Sequence, residues 1–223
     1  MKKTAIIVAG GSGTRMGTEI PKQFLLLGGK PVLMHSMGAF ERAFPGIGQI
    51  VVLPAGLFDE WRNLCKIHGF TLSHRLAEGG ETRFHSVKNA LATTSDEGLI
   101  AIHDAARPLV GETLIRKAFD HAERFGNAIP AVTLSESVRL LSENGSRAVN
   151  RHDYRTVQTP QVFRSETIRR AYRQEYRDTF TDCASVAESA GISIHLIDGD
   201  PVNLKITFPH EIALAEALLP FQR

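Results

Sequence analysis

Cysteine is scarce in this chain of 223 residues, which holds Cys65 and Cys183 and no others. Neither sits in a CxxC pair, which speaks against a disulfide framework or a structural zinc site and for a reducing, cytoplasmic setting. Long hydrophobic runs are missing as well. The apolar stretch nearest the N-terminus, Ala5 to Ala9, lasts five residues before glycines interrupt it. That is too short for the apolar segment of a signal peptide and far too short to span a bilayer. Charge of one sign is not in excess either: 26 Lys and Arg face 24 Asp and Glu, a formal net charge of +2. So balanced a surface argues against nucleic acid or an anionic membrane as the main partner. Positive potential, if the chain uses any, has to be made locally by converging Lys and Arg side chains.

What is present fits a globular protein, with 43% hydrophobic and 22% charged residues. The even composition favours one domain over residues 1–223. Ala5–Val8, Ile50–Leu53, Leu99–Ile102 and Ala128–Val132 are short, continuous and rich in Ile and Val, the pattern of buried strands. Ile192–Ile197 is a further candidate. Between them, Leu33/Met37/Phe40/Phe44, Leu57/Trp61/Leu64 and Leu114/Ile115/Ala118/Phe119/Ala122 recur at helical spacing. A last helix is expected to start at Pro209 and to carry Ile212, Leu214, Ala215 and Leu218. Alternation of this kind predicts an α/β fold, a mainly parallel twisted sheet with helices on both faces.

One stretch breaks the alternation. Ser137-Val138-Arg139-Leu140-Leu141 and Arg147-Ala148-Val149-Asn150 flank Asn144-Gly145, a pair suited to a tight hairpin turn. A projecting β-hairpin is therefore expected over residues 137–151. A two-stranded ribbon is marginal alone, so a second subunit is the natural surface for it.

The first strand runs into Ala9-Gly10-Gly11-Ser12-Gly13-Thr14-Arg15-Met16-Gly17. Glycines at Gly10, Gly11 and Gly13 let the backbone approach a ligand, and exposed N–H groups there suit phosphate oxygens. The loop is not a Walker motif, because no lysine follows Gly17. It is a poor dinucleotide fingerprint too: Met16 takes the last glycine position, and Leu53-Pro54 ends the second strand without an acid for a ribose. Arg15 and Lys22 follow the loop. Where a phosphate attacks a triphosphate, cations at the reacting phosphorus offset the gathering negative charge. Taken alone, such a pair is as readily two solvated surface cations.

Later motifs add specificity. They are Pro21-Lys22-Gln23, Gly79-Gly80-Glu81-Thr82-Arg83 with Ser86-Val87, and His103-Asp104-Ala105-Ala106-Arg107-Pro108. Thr159-Pro160-Gln161, Thr181-Asp182-Cys183-Ala184-Ser185 and Asn203-Leu204-Lys205-Ile206-Thr207 follow. In this order and spacing the chain resembles the 2-C-methyl-D-erythritol 4-phosphate cytidylyltransferase family of the non-mevalonate isoprenoid pathway, from Ala5 to about Leu218. The resemblance implies a Rossmann-like nucleotidyltransferase fold, a divalent ion (normally Mg²⁺) brought with CTP, and a homodimer joined by β-arms. It implies transfer of CMP from CTP to the polyol phosphate.

By the same resemblance Arg15 and Lys22 stabilise the transition state, and Arg151 and Lys205 position the attacking phosphate. Arg151, just beyond the hairpin, is a candidate to act in the neighbouring subunit's site. Ala9, Gly10, Gly11 and Gly13 form the phosphate loop, and Gly79, Gly80 and Ser86 read cytosine. Asp104 and Ala105 lie at a strand's C-terminal end, the usual ligand edge of such a sheet, with Asp104 placed for the ribose, near the metal, or for capping the next loop. No metal-binding triad is recognisable among the nine histidines and the acids. The chain departs from the family at Cys183 and Val202, where an acid is common, and at Ser137, where threonine is frequent. A ribitol 5-phosphate cytidylyltransferase is the nearest alternative. A non-catalytic nucleotide-binding module and a nicotinamide enzyme fit less well, since the four cations argue against the first and the loop against the second.

Overall fold

The strand Lys3–Val8 (β1) is apolar from Ala5 to Val8 because both its faces are covered: Ala5 and Ile7 enter one core and Ile6 the other. This holds in a computed structural model that describes residues 1–10, 20–95 and 97–221. A short ribbon, Leu26–Leu27 (β2) with Lys30–Pro31 (β3), leads to a helix at Val32–Ala43 (α1), a strand at Gly48–Leu53 (β4) and a helix at Phe58–Ile67 (α2). Next come Arg75–Glu78 (β5), Arg83–Ala92 (α3), Leu99–Asp104 (β6), Glu112–Phe125 (α4) and Asn127–Thr133 (β7). Val138–Ser142 (β8) and Gly145–Val149 (β9) form a separate antiparallel pair. Arg155–Val157 (β10), Gln161–Arg164 (β11), Ser165–Ala171 (α5), Cys183–Ser189 (α6), Leu196–Asp198 (β12) and His210–Leu218 (α7) complete the chain.

The main sheet runs β10-β7-β11-β6-β1-β4-β5, with β12 also on β7. Its centre, β6-β1-β4-β5, is parallel. β11 is inserted in reverse between β6 and β7 and is antiparallel to both. The parallel expectation therefore holds at the centre, and the edge built around β7 is mixed.

Alternate residues of each central strand serve the two faces, as a pleated strand requires. Ala5, Ile7, Val51, Leu53, Leu99 and Ala101 meet α1, α2 and α4. Ile6, Ile50, Val52, Ile100 and Ile102 meet α3, α5 and α6. A third cluster of Leu27, Val32, Leu109, Ile206 and Ala215 seats α7 and the segment before it against the ribbon.

Two local expectations change. Ile192–Ile197 is strand only from Leu196. The buried Asn127 side chain takes the preceding backbone groups instead, donating to Ser193 O at 2.8 Å and accepting from His195 N at 2.8 Å. The hairpin turn lies one residue earlier than predicted: Ser142 pairs with Gly145, which leaves Glu143-Asn144 as the connection. Gly145 takes the positive φ of 132°, so Asn144 does not have to.

Candidate active site

Four parallel strands end together, and their C-terminal ends form one cleft. Backbone bonds align them: Ala9 N donates to Val52 O at 2.9 Å, Ala105 N to Val8 O at 3.0 Å, and Gly79 N to Leu53 O at 2.8 Å. The cleft, about 390 Å³, is walled by Ala9-Gly10, Lys22-Gln23, residues 80–83, Ser86, Asp104-Ala105 and Lys205. Carbonyl and amide groups at strand ends provide a polar floor without charge.

Lys22 stands on a 3₁₀ turn, Lys22–Phe24. Two neighbours fix that turn. The buried Gln23 amide donates to Ala9 O at 2.9 Å, and Phe24 stacks on the fully buried Trp61 with ring centroids 6.0 Å apart. Lys22 is thereby tied to the end of β1, where the glycine-rich segment begins.

The Gly79-Gly80 turn is braced by α3. Ser86 Oγ accepts from Gly80 N at 3.0 Å. A Cβ on Gly80 would stand 2.4 Å from His85 Cβ and 3.1 Å from its carbonyl carbon, so helix packing itself demands glycine there. A Cβ on Gly10 would meet Ser86 Oγ at 3.1 Å, which places that serine between both glycine turns.

Asp104 is the electrostatic centre. Its Oδ1 accepts from Arg83 Nε at 3.1 Å and its Oδ2 from Lys205 Nζ at 2.8 Å. Burial alone would raise its pKa, but the guanidinium of Arg83 and the ammonium of Lys205 hold the carboxyl well below the usual range. Its backbone N–H donates to Thr159 Oγ1 at 3.0 Å. The Thr159 hydroxyl also lies 3.1 Å from His103 Nδ1, while His103 Nε2 lies 3.1 Å from Arg107 O. A carbonyl only accepts, so Nε2 carries the proton and Nδ1 accepts from Thr159. Burial pushes the His103 pKa down to about 4, so the ring is neutral and holds loops together rather than moving protons.

A second cavity of about 180 Å³ adjoins the first. Arg83, Asp104 and Lys205 line both, and Arg107, Thr159 and Asp182 close the smaller one. Gln161 organises its far wall. Its Oε1 accepts from Cys183 N at 3.0 Å and Ala184 N at 3.1 Å, and its Nε2 donates to Asp182 Oδ2 at 2.7 Å. Asp182 and Ser185 complete a capping box on α6. Arg107 Nη1 donates to Asn203 O at 2.8 Å and so pins the stretch that carries Lys205.

Of the residues expected from sequence, Ala9, Gly10, Lys22, Gly80, Ser86, Asp104, Ala105 and Lys205 share the larger cleft. Gly79 extends the β4–β5 pairing just behind it. Gly11, Gly13 and Arg15 lie outside the described residues. Arg151 lines neither cavity; it sits on a 3₁₀ turn at the foot of the hairpin and donates to Ser135 O at 2.5 Å. Sequence reasoning missed Arg83, Gln23 and Gln161. All three lay inside quoted motifs, yet only the fold shows that Gln161 and Asp182 are two ends of one hydrogen bond.

Among the described residues no group of three or more His, Cys, Asp or Glu side chains could hold a metal ion. Of the described carboxylates, Glu81 and Asp104 reach the larger cleft, and both oxygens of Asp104 are engaged by cations. Among the described residues that donor set is not a closed oxygen cage for a divalent ion.

Comparison with known proteins agrees with this geometry. The family model described as 2-C-methyl-D-erythritol 4-phosphate cytidylyltransferase matches residues 3–220. The proteins of that name from Bacteroides fragilis and Bacteroides thetaiotaomicron are 50% and 48% identical over 219 residues, covering 98% of this chain and all of theirs. The crystal structure of the Thermus thermophilus protein of that name superposes with a TM-score of 0.80 at 30% identity, covering 99% of this chain and 100% of its own. With its mostly parallel sheet, strand-end cleft and co-ordered motifs, this chain belongs to the 2-C-methyl-D-erythritol 4-phosphate cytidylyltransferase family, and it is a nucleotidyltransferase.

Proposed function

We propose that this chain transfers CMP from CTP to 2-C-methyl-D-erythritol 4-phosphate and releases pyrophosphate, in non-mevalonate isoprenoid biosynthesis. The observation that carries this reading is the pair of adjoining cavities, about 390 and 180 Å³, with a shared wall of Arg83, Asp104 and Lys205. Transfer between two phosphorylated molecules needs two subsites that meet at cations. In this assignment CTP takes the larger cleft and the polyol phosphate the smaller.

The attacking phosphate oxygen forms a bond to the α-phosphorus as the bond to the bridging oxygen breaks, and pyrophosphate leaves with that electron pair. A phosphate is a competent nucleophile at neutral pH, so no general base is required. Catalysis rests on positioning and charge. Lys22 and Arg15 are assigned to the charge gathering at the α-phosphoryl group, and Lys205 to the incoming phosphate. Cys183 is buried against Arg83 and Tyr172 and needs no nucleophilic role. Bound Mg²⁺ would neutralise the leaving pyrophosphate, with Glu81 the cleft carboxylate free to face it.

The oligomer is assigned as a homodimer. Leu140 and Leu141 on the hairpin are 47% and 78% exposed, and a ribbon that shows apolar residues to water calls for a covering surface. The cytoplasm is the assigned compartment; among the described residues no helix is long and apolar enough to cross a membrane.

The deciding assay is pyrophosphate release from CTP across a panel of polyol phosphates. Turnover should be strongest with 2-C-methyl-D-erythritol 4-phosphate. A preference for ribitol 5-phosphate would overturn the substrate assignment, and no turnover with any of them would overturn the reaction.

A further inference from the structure

Arg83 has no part in the chemistry described so far, yet it stands on the wall between the two cavities. It occupies the first turn of α3, where a cation opposes the helix dipole. A local advantage does not place it there; its contacts do. Nε reaches Asp104 Oδ1 at 3.1 Å and Nη1 reaches Cys183 Sγ at 3.2 Å, while Nη2 is buried with no hydrogen-bond partner among the described residues. Tyr172 OH donates to the same sulfur at 3.2 Å. Asp104 is the carboxylate paired with Arg83 among the described residues.

We propose that Arg83 is a positioning residue: by holding Oδ1 of Asp104 it prevents that carboxylate from pairing wholly with Lys205, and so leaves the Lys205 ammonium available and aimed for the phosphate of the polyol substrate. The charges support this. Asp104 faces Arg83 from α3, Lys205 from the segment before α7, and Arg107 from the loop after β6, with neutral His103 beside it. A lone Asp104–Lys205 pair at 2.8 Å would be neutral and would offer an incoming anion little. With Arg83 included the trio is net positive, and Arg107 adds to it. The thiol at residue 183 matters here. Burial raises its pKa, so it satisfies the guanidinium without cancelling its charge from behind. Nη2, without a partner among the described residues, is a further buried donor beside both cavities.

This inference rests on the assignment of Lys205 to the polyol phosphate, so its test separates the two. Steady-state constants for both substrates are measured in the wild type, Arg83→Gln, Arg83→Lys and Cys183→Ser. Arg83→Gln should raise KM for the polyol phosphate about tenfold or more while KM for CTP stays within about twofold. Arg83→Lys, which keeps the charge but not the fork, should recover most of that loss, and Cys183→Ser should stay near wild type. A purely structural role would raise both KM values together, or would leave Arg83→Lys as impaired as Arg83→Gln; either result overturns the proposal. If Arg83→Gln does not fold, Arg83→Lys decides, and a tenfold rise in its KM for the polyol phosphate counts against. Should the wild type turn over no polyol phosphate, the substrate reading fails on its own. Carbon NMR titration of the Asp104 carboxyl then still tests Arg83: its pKa should rise in Arg83→Gln and return in Arg83→Lys, and no change in either variant overturns the inference.

Discussion

At the residue scale the site is a problem of charge placement. Lys22 is held at the cleft by Gln23 on Ala9 and by the Phe24–Trp61 stack, so its backbone is settled before any ligand arrives. Such preorganised cations act where charge gathers in the transition state and need no reorganisation during reaction. Lys22→Ala should therefore lower kcat about a hundredfold, roughly 3 kcal/mol of barrier, with CTP binding changed only severalfold. Single-turnover kinetics beside a CTP titration separate these terms; near-normal turnover would remove Lys22 from the chemistry. Gly80 shows how one residue type can be needed for a reason other than the expected one. Read from sequence, it lets the backbone close on a base, whereas in the fold a side chain there would strike His85 at the start of α3.

At the element scale, the short helix α6 depends on its neighbours for its N-terminus. Seven residues are too few for a stable helix alone, and its orphan N–H groups need acceptors. Asp182 caps Ser185 N at 2.8 Å, and Gln161 Oε1 takes the N–H groups of Cys183 and Ala184. Gln161→Leu would strand both donors and free one oxygen of Asp182, a loss of about 1–3 kcal/mol. The expected result is a Tm lower by several degrees and a weaker hold on the polyol phosphate, because Asp182 lines the smaller cavity. Thermal melts and KM values check this, and an unchanged Tm would show that water replaces the amide.

At the scale of the whole molecule, the position of Arg151 bears on the dimer proposed above. In its own chain it lines neither cavity and is bound to Ser135 at the hairpin's foot. A twofold dimer built through the hairpins would carry it toward a partner's site. Mixing inactive Arg151→Ala and Lys22→Ala homodimers under exchange should then restore activity toward about a quarter of wild type, since about half the dimers are mixed and half their sites intact. No recovery despite proven exchange would return Arg151 to its own chain and leave the hairpin a structural element.

Much was legible in the sequence because its cause is local. Continuous Ile and Val runs marked β1, β4, β6 and β7, and helical spacing marked α1, α2 and α4. The order of the motifs carried the family and most of the cleft. Weakly patterned pieces were not legible. β11 carries few residues and runs against its neighbours, α6 is held by side chains from elsewhere, and Asn127 turned most of an expected strand into a loop. The role of Arg83 was also hidden, because its meaning lies in Asp104, 21 residues away, and Cys183, 100 residues away. Backbone preference and hydrophobic period are written along the chain and can be read there. Which charges meet depends on how the strands are ordered, and only the tertiary structure decides that.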